Sequence, residues 1–170
     1  MKKLTRTRSI IMKLRMFILP DGPHGDIARG NLYRPYMKSC GRNFKVGTNA
    51  YIYNPNGLSV GDNVYIGFNS YLGQGEINLA DEVLVGNFVS ITASNHISQG
   101  KSFRFGGFEM IPISIGPGTW LAAHVCIMPG VNIGEGCLVA AGSIVTRSFE
   151  EERLIIAGVP AEKIGELEKS

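Results

Sequence analysis

One histidine stands where this sequence could carry out acid–base chemistry. His96 ends a six-residue unit, Ile91–His96, and residues 97–112 then leave the pattern that precedes them. Histidine titrates near neutral pH, so it can take a proton from a hydroxyl that acts as a nucleophile. The alternative is a turn histidine that only caps the loop. We predict that His96 is a catalytic base.

The other histidines and the three cysteines give weaker evidence of a catalytic or metal-binding role. His124 lies outward on a repeat unit, where it is either an ordinary exposed side chain or part of a cleft, and His24 is assigned no role. No two histidines have the close spacing of the three-histidine zinc site of a γ-type carbonic anhydrase, so no metal is expected. The three cysteines form no CxxC pair, which indicates a reducing compartment, and Cys137 fits a small core position.

A repeat of six residues must position His96. Between Ile115 and Arg147, an aliphatic residue opens each unit and a small or β-branched residue follows four places later. The openers are Ile115, Leu121, Ile127, Ile133, Val139 and Val145, and the later set is Thr119, Val125, Val131, Cys137 and Ser143. A fixed hexapeptide period predicts an all-β solenoid, the parallel β-helix. The period-two pattern of a β-sandwich does not fit it.

The repeat divides the chain into three parts. Residues 46–148 form the β-helix of about five coils, with residues 97–112 as an extruded loop. Residues 149–170 close the stack and are predicted to include a short helix over 161–168. Residues 1–45 precede the repeat as a basic helix over 1–19 and an irregular, extended lead-in over 20–45.

The first nineteen residues carry six Lys or Arg and no acid, although the whole chain has a net charge of only +3. Leu4, Ile11, Leu14 and Ile18 would line one face of a helix. The preferred interpretation is that this face packs on its own domain or on a neighbouring subunit. The alternative is that it lies on an anionic membrane surface.

No apolar run in the N-terminal segment is long enough for a signal peptide or a membrane span, so a cytoplasmic protein is expected. The basic block has no interleaved aromatic residues, which argues against a nucleic-acid partner.

The stretch from Ile115 to Arg147 and the closing segment Ala157-Gly-Val-Pro-Ala161 resemble the hexapeptide-repeat acyltransferases. The closest resemblance is to the galactoside/maltose O-acetyltransferases and their polysaccharide-modifying relatives. The resemblance implies a left-handed β-helix, a homotrimer with active sites between subunits, acetyl-CoA as co-substrate, and His96 as the catalytic histidine.

The same resemblance implies a coenzyme A site. Its residues would be Trp120, Ala123, Ala141, Gly142, Arg147 and Lys163. The small side chains would leave a slot for the pantetheine arm, the Ala123 N–H would polarise the thioester carbonyl, and Arg147 would meet phosphate. The family often has arginine where Glu162 and Gly165 stand, and Lys163 would substitute for it.

The acceptor is expected to be a sugar or an aminosugar, contacted by Asn69, Arg104 and Glu109. The main hypothesis is O-acetyl transfer to a sugar hydroxyl of a surface-polysaccharide precursor. N-acetyl transfer on the same fold stays open because one histidine base serves either nucleophile. A non-enzymatic scaffold is the alternative outside these enzyme classes.

Overall fold

The computed structural model describes residues 6–168 as a helical N-terminal segment followed by a three-sided β-solenoid. The segment contains α1 (Arg6–Phe17) and α2 (Pro23–Tyr33). Within residues 6–168, no helix is both long and apolar enough to cross a bilayer.

Each face of the solenoid is a sheet of short strands stacked one coil above another. The first face holds β1 (Ser39–Cys40), β4 (Leu58–Val60), β7 (Ile77–Leu79), β12 (Ile113–Ile115) and β15 (Asn132–Ile133). The second holds β2 (Lys45–Val46), β5 (Tyr65–Ile66), β8 (Leu84–Val85), β13 (Trp120–Leu121), β16 (Leu138–Val139), β18 (Leu154–Gly158) and β19 (Ala161–Glu166). The third holds β3 (Tyr51–Ile52), β6 (Tyr71–Leu72), β9 (Ser90–Ile91), β14 (Cys126–Ile127) and β17 (Ile144–Val145).

Residues 39–145 therefore make five complete coils, and residues 149–158 begin a sixth. The parallel β-helix predicted from the repeat is confirmed, and so is the left hand that the family resemblance implied. We call the turns between the second and third faces edge 2/3, and those between the third and first faces edge 3/1.

The repeat builds the core as its spacing predicts. The aliphatic openers from Ile115 to Val145 are all buried, and so are the smaller residues four places later. Two buried hydroxyls in the smaller set find acceptors: Thr119 Oγ1 donates to Gly134 O at 2.8 Å, and Ser143 Oγ donates to Ala140 O at 2.7 Å. These two hydroxyls are thus satisfied inside the solenoid, where each coil packs its apolar interior against the next.

Residues 20–45 differ from the extended lead-in that the sequence predicted. Pro23 starts α2 because proline suits the first turn of a helix, where its missing N–H costs nothing. Gly30 lets α2 approach the solenoid, since a Cβ there would lie 2.2 Å from the Phe44 carbonyl oxygen. Strand β1 also falls in this segment, so the first coil begins before residue 46.

The predicted C-terminal helix over 161–168 is wrong. Those residues include β19, which runs antiparallel to β18. The last strand of a stack leaves its N–H and C=O groups unpaired, and β19 supplies their partners. The chain closes the solenoid with a hairpin where a helix was expected.

The helix predicted over 1–19 is present as α1, but a different face is docked. Met12 is buried and Met16 is partly buried, whereas Ile11, Leu14 and Ile18 are exposed. Leu4, the first residue of the predicted apolar face, lies outside the described residues.

A buried arginine ties the helical segment to the first coil. Arg29 Nε donates to Val46 O at 2.8 Å and Nη1 donates to Pro20 O at 3.2 Å, while Asp26 pairs with the same guanidinium. Because all three partners of the Arg29 guanidinium belong to the same chain, we assign this buried cation a structural role.

Candidate active site

His96 is the last residue of β10 (Ser94–His96), which leaves the solenoid at edge 3/1. It forms an antiparallel hairpin with β11 (Phe108–Met110), with His96 opposite Phe108. The imidazole is exposed, and it makes no hydrogen bond or ion pair with another residue among 6–168. It is therefore free to contact a substrate or a second subunit.

The hairpin register separates Glu109 from His96. Glu109 lies opposite Asn95, and adjacent residues of a strand project to opposite faces. Glu109 therefore shares a face with Asn95 and not with His96, so this register does not place the Glu109 carboxylate in contact with the imidazole. Arg104 lies in the turn of the loop, exposed, with its guanidinium 5.5 Å from the Phe105 ring centroid.

A row of small residues runs along edge 2/3. Ala123 occupies this edge in the fourth coil, and Ala141 and Gly142 occupy it in the fifth. The coils are joined there by the Gly142 N–H, which donates to Ala123 O at 2.9 Å. Gly142 has a φ of +74° and open space where a Cβ would stand. These three residues carry no side chain larger than methyl, and we call the row they form the slot.

Backbone donors face this slot. The N–H groups of Ala123 and Ala141 have no acceptor within residues 6–168, whereas the neighbouring His124 N–H donates to Asn87 O at 3.0 Å. Unpaired amide donors beside small side chains fit the amide carbonyls of a pantetheine arm. The residues present therefore fit coenzyme A.

An aromatic wall continues the same edge, and sequence reasoning missed it. The His124 ring stacks on Phe88 with centroids 4.8 Å apart and planes inclined by 4°, and Phe68 meets Phe88 edge-on at 5.5 Å. His124 and Phe88 both occupy the left-handed corner position of their coils, with φ near +60°. The extruded loop between them hides that equivalence in the sequence.

Asn69 and Trp120 lie on the side of the molecule that carries the slot. Asn69 is the left-handed corner residue of edge 2/3 in the second coil, and its N–H donates to Thr48 O at 3.1 Å. Trp120 opens β13 on the second face, between Leu84 and Leu138 in register, and is 46% exposed. Asn69 thus extends the edge, and Trp120 adds an outward apolar surface beside it.

The two cations expected at the phosphates are already paired and lie apart. Arg147 pairs with Glu162, and Lys163 pairs with Glu151 at 3.0 Å and with Glu166 at 2.6 Å. The hydrogen bond to Glu166, with a second to Glu151, raises the pKa of the Lys163 ammonium. Because Glu162 and Lys163 are adjacent on β19, their side chains leave on opposite faces. The structure does not bring Arg147 and Lys163 together.

Within one chain, the predicted site residues fall into two groups. His96, Arg104 and Glu109 belong to the hairpin at edge 3/1, whereas Asn69 and the slot lie at edge 2/3. The third face separates the two edges, and the five or six residues of one face make it roughly 15–20 Å wide. His96 and the slot therefore do not form one site in a single subunit.

A groove of about 720 Å³ lies between α1 and the first coil. Its walls include Lys13, Phe17, Thr48, Asn49 and Tyr51. Thr48 and Asn49 are the edge 2/3 residues of the first coil. The groove therefore continues the line of Asn69, the aromatic wall and the slot.

Two further features concern thiol chemistry and metal binding. Cys137 is buried, and burial raises the pKa of its thiol, which opposes formation of a thiolate nucleophile. Across the described part of the chain, no group of three or more His, Cys, Asp or Glu residues could hold a metal ion.

Two family models match the repeat. Residues 112–147 match the bacterial transferase hexapeptide, described as six repeats, and residues 57–93 match the hexapeptide repeat of succinyl-transferase. The galactoside O-acetyltransferase of Escherichia coli (strain K12) is 33% identical over 129 residues, which are 72% of this chain and 63% of that protein. A Saccharomyces cerevisiae protein provisionally named an acetyltransferase is 30% identical over 144 residues, 84% of this chain and 72% of that protein.

Solved structures give the same result. A galactoside acetyltransferase in complex with coenzyme A is 27% identical with a TM-score of 0.80, covering 98% of this chain and 84% of that one. AntD, an N-acyltransferase from Bacillus cereus in complex with dTDP-4-amino-4,6-dideoxyglucose and coenzyme A, shares the fold at 22% identity and a TM-score of 0.67, covering 82% of this chain and 88% of that one.

The three-sided solenoid of hexapeptide repeats, interrupted by the hairpin that carries His96, is the architecture of the hexapeptide-repeat class. The chain belongs to the hexapeptide-repeat acetyltransferase family, as its resemblance implied. It spans less than two thirds of the length of the bacterial galactoside O-acetyltransferase that it matches.

Proposed function

We propose that this protein transfers the acetyl group of acetyl-CoA to a hydroxyl of a sugar, with His96 as general base. The proposed site lies between subunits of a homotrimer. The hairpin at edge 3/1 of one subunit faces the slot at edge 2/3 of the next. Family membership supports acetyl transfer as the reaction, and the geometry of the two edges supports a site between subunits.

The separation of His96 from the slot is the observation that carries this proposal. Neither edge alone holds both a base and a donor site, and the third face, roughly 15–20 Å wide, lies between them. Cyclic threefold symmetry would set each edge 3/1 against the edge 2/3 of its neighbour, which gives three equivalent clefts. The apolar outward surface around Leu84 and Trp120 supports such an assembly, because exposed patches of this kind mark protein contacts.

In the proposed reaction, the imidazole of His96 takes the proton of the acceptor hydroxyl while its oxygen attacks the thioester carbonyl carbon. The unpaired N–H of Ala123 donates to the oxygen that becomes negative. The C–S bond then breaks, the imidazolium returns the proton to the departing thiolate, and an acetyl ester and free coenzyme A result. Holding hydroxyl, base and thioester in one cleft supplies much of the rate.

A surface-polysaccharide precursor is the acceptor we favour. The groove under α1 lies on the same edge as the slot but three coils away, which is about 14 Å at the spacing of neighbouring strands. That distance supports an acceptor longer than one sugar. Asn69 and the Phe68–Phe88 pair lie between the two ends, where an amide and aromatic faces suit sugar hydroxyls and sugar rings.

The test is release of free thiol from acetyl-CoA over a panel of sugars, oligosaccharides and aminosugars. With the best acceptor, His96→Ala should lower turnover by on the order of 10²- to 10⁴-fold. His24→Ala, which removes an exposed imidazole from α2, is the matched control and should keep full turnover. Normal turnover by His96→Ala would remove the proposed base from the mechanism.

N-acetyl transfer to an aminosugar is the second candidate, favoured by the shared fold of AntD. The same panel separates the candidates. An N-acetyltransferase would release thiol from acetyl-CoA with aminosugars and not with sugars that lack an amine. A scaffold without activity is distinguished by heating the protein with coenzyme A. A ligand at 100 times its Kd adds about 2.7 kcal/mol to the free energy of unfolding, and no thermal shift would favour the scaffold.

A further inference from the structure

Helix α1 carries apolar residues on two opposite faces. One face holds Met12 and Met16, which pack against the buried core of the domain. The other face is exposed, and its large side chains are Ile10 at 53%, Ile11 at 45%, Leu14 at 64%, Phe17 at 89% and Ile18, directly after the helix, at 77%. Packing on the domain therefore accounts for only one of the two faces.

The geometry of the helix makes the exposed set one stripe. At about 100° per residue, the five exposed residues fall within an arc of about 120°. The centre of that arc lies about 180° from the docked Met12 and Met16. The centre of the stripe therefore points away from the domain, and Phe17, at one edge of the stripe, also borders the groove between α1 and the first coil.

Cations flank the stripe on both sides. On the helical wheel, Arg8 and Arg15 lie between the stripe and the docked face on one side, and Lys13 lies on the other. The Lys13 ammonium is 5.1 Å from the Tyr51 ring centroid, so it stays at the boundary between helix and solenoid. An apolar stripe bordered by cations is the pattern of a helix that lies in the plane of a membrane surface.

The charge of the described residues, 6–168, is arranged along the same direction. Residues 6–19 carry four basic residues and no acid. Glu150, Glu151 and Glu152 lie at the other end of the solenoid, in the sixth coil, about 24 Å away at the strand spacing. An anionic surface would attract the α1 end and repel the closing end.

We propose that α1 docks this protein on an anionic lipid bilayer, with the stripe in the headgroup region and the solenoid axis pointing away from it. Charge decides against a second copy of α1 as the occupant. Two α1 helices packed stripe to stripe would bring their rows of cations together, whereas anionic headgroups neutralise them. The inference concerns only the N-terminal helix and holds whichever acceptor the transferase uses.

Co-sedimentation with vesicles tests the proposal. Vesicles of phosphatidylcholine with about 30% phosphatidylglycerol, whose anionic lipid gives them a negative surface potential, are compared with vesicles of phosphatidylcholine alone. The full-length protein should bind the anionic vesicles, bind the neutral ones at least tenfold more weakly, and be released by salt. Failure to bind the anionic vesicles, or equal binding to both, would overturn the proposal.

Two double variants separate the stripe from general surface hydrophobicity. Leu14→Gln with Phe17→Gln should weaken vesicle binding by tenfold or more. Phe103→Gln with Phe105→Gln removes side chains that are 64% and 78% exposed in the extruded loop, and binding should be unchanged. Equal binding by the stripe variant and the wild type would contradict the proposal.

Charge and assembly are measured on the same samples. Lys13→Gln and Arg15→Gln should each weaken binding about fivefold, since one cation near an anionic surface is worth about a factor of five. The molar mass of the stripe variant in solution should equal that of the wild type. A smaller mass would show that a second copy covers the stripe, and the membrane assignment would fail.

Discussion

Arg147 forms an ion pair with Glu162 across the closing end of the solenoid, and its guanidinium also lies 5.1 Å from the Phe149 ring centroid. Arg147 follows the last strand of the third face, and Glu162 lies on β19. The cation proposed to meet the phosphates of coenzyme A is thus held by a carboxylate of its own chain. Binding of coenzyme A has to displace or share that carboxylate.

Removing the competing carboxylate should strengthen coenzyme A binding. Exposed ion pairs are worth about 0.2–1 kcal/mol, so Glu162→Gln should lower the Kd for coenzyme A up to about fivefold. Arg147→Gln should raise it. Calorimetric titration measures both, and Glu150→Gln, an exposed carboxylate on the same end, is the control. An unchanged Kd in Glu162→Gln would mean that Arg147 does not meet the coenzyme.

Tyr33 should make stability depend on pH in the alkaline range. Burial raises its pKa from 10.0 to about 12, and its hydroxyl oxygen accepts a hydrogen bond from the Ile52 N–H at 3.2 Å. The folded state holds the phenolic proton more tightly than the unfolded state. The resulting stability is fully present below pH 10 and is lost as pH rises towards 12, by roughly 2–3 kcal/mol.

Tyr33→Phe isolates that contribution. At pH 7 the variant should be less stable by about 1–2 kcal/mol, because the buried Ile52 N–H loses its acceptor. Between pH 10 and 12 the difference from the wild type should shrink and then change sign, since only the wild type loses the tyrosine contribution. Urea unfolding at fixed protein concentration measures this. A constant difference across that range would refute the assignment.

Two glycine-to-alanine substitutions should differ sharply in cost. At Gly30, a Cβ would lie 2.2 Å from the Phe44 carbonyl oxygen, so α2 must move off the first coil, at a cost of about 3 kcal/mol. At Gly142 the space for a Cβ is open, and only the φ of +74° is unfavourable, at a cost of about 1 kcal/mol. Equal losses in urea unfolding would contradict the close approach at Gly30.

Periodicity made the solenoid and its interruption predictable. Each unit from Ile115 to Val145 repeats the same burial, so the sequence alone indicates which residues point inward. The position of His96 at the start of the break followed from the same pattern. The α2 helix was missed because Pro23 and Gly30 look like breakers, although one starts the helix and the other lets it dock.

Other features depend on contacts that a sequence does not display. The Phe88–His124 stack joins equivalent corners of coils that the extruded loop separates along the chain. The register that sets Glu109 beside Asn95 depends on how the hairpin pairs. The strand β19 forms because the last coil needs a partner, a requirement that helix propensity over 161–168 does not reveal.

Mixed trimers test the central claim, that base and donor slot come from different subunits. One chain carries His96→Ala and keeps its slot. The other carries Ala141→Trp, which fills the slot at an exposed position, and keeps His96. Each variant alone should be nearly inactive, and the two are co-expressed with different tags so that mixed trimers can be purified.

Any mixed cyclic trimer has one cleft in three with both an intact His96 and an intact slot, so its thiol release should reach about one third of the wild-type rate. If the mixed trimers are as inactive as the parent variants, His96 and the slot do not meet across subunits, and the proposed site is wrong.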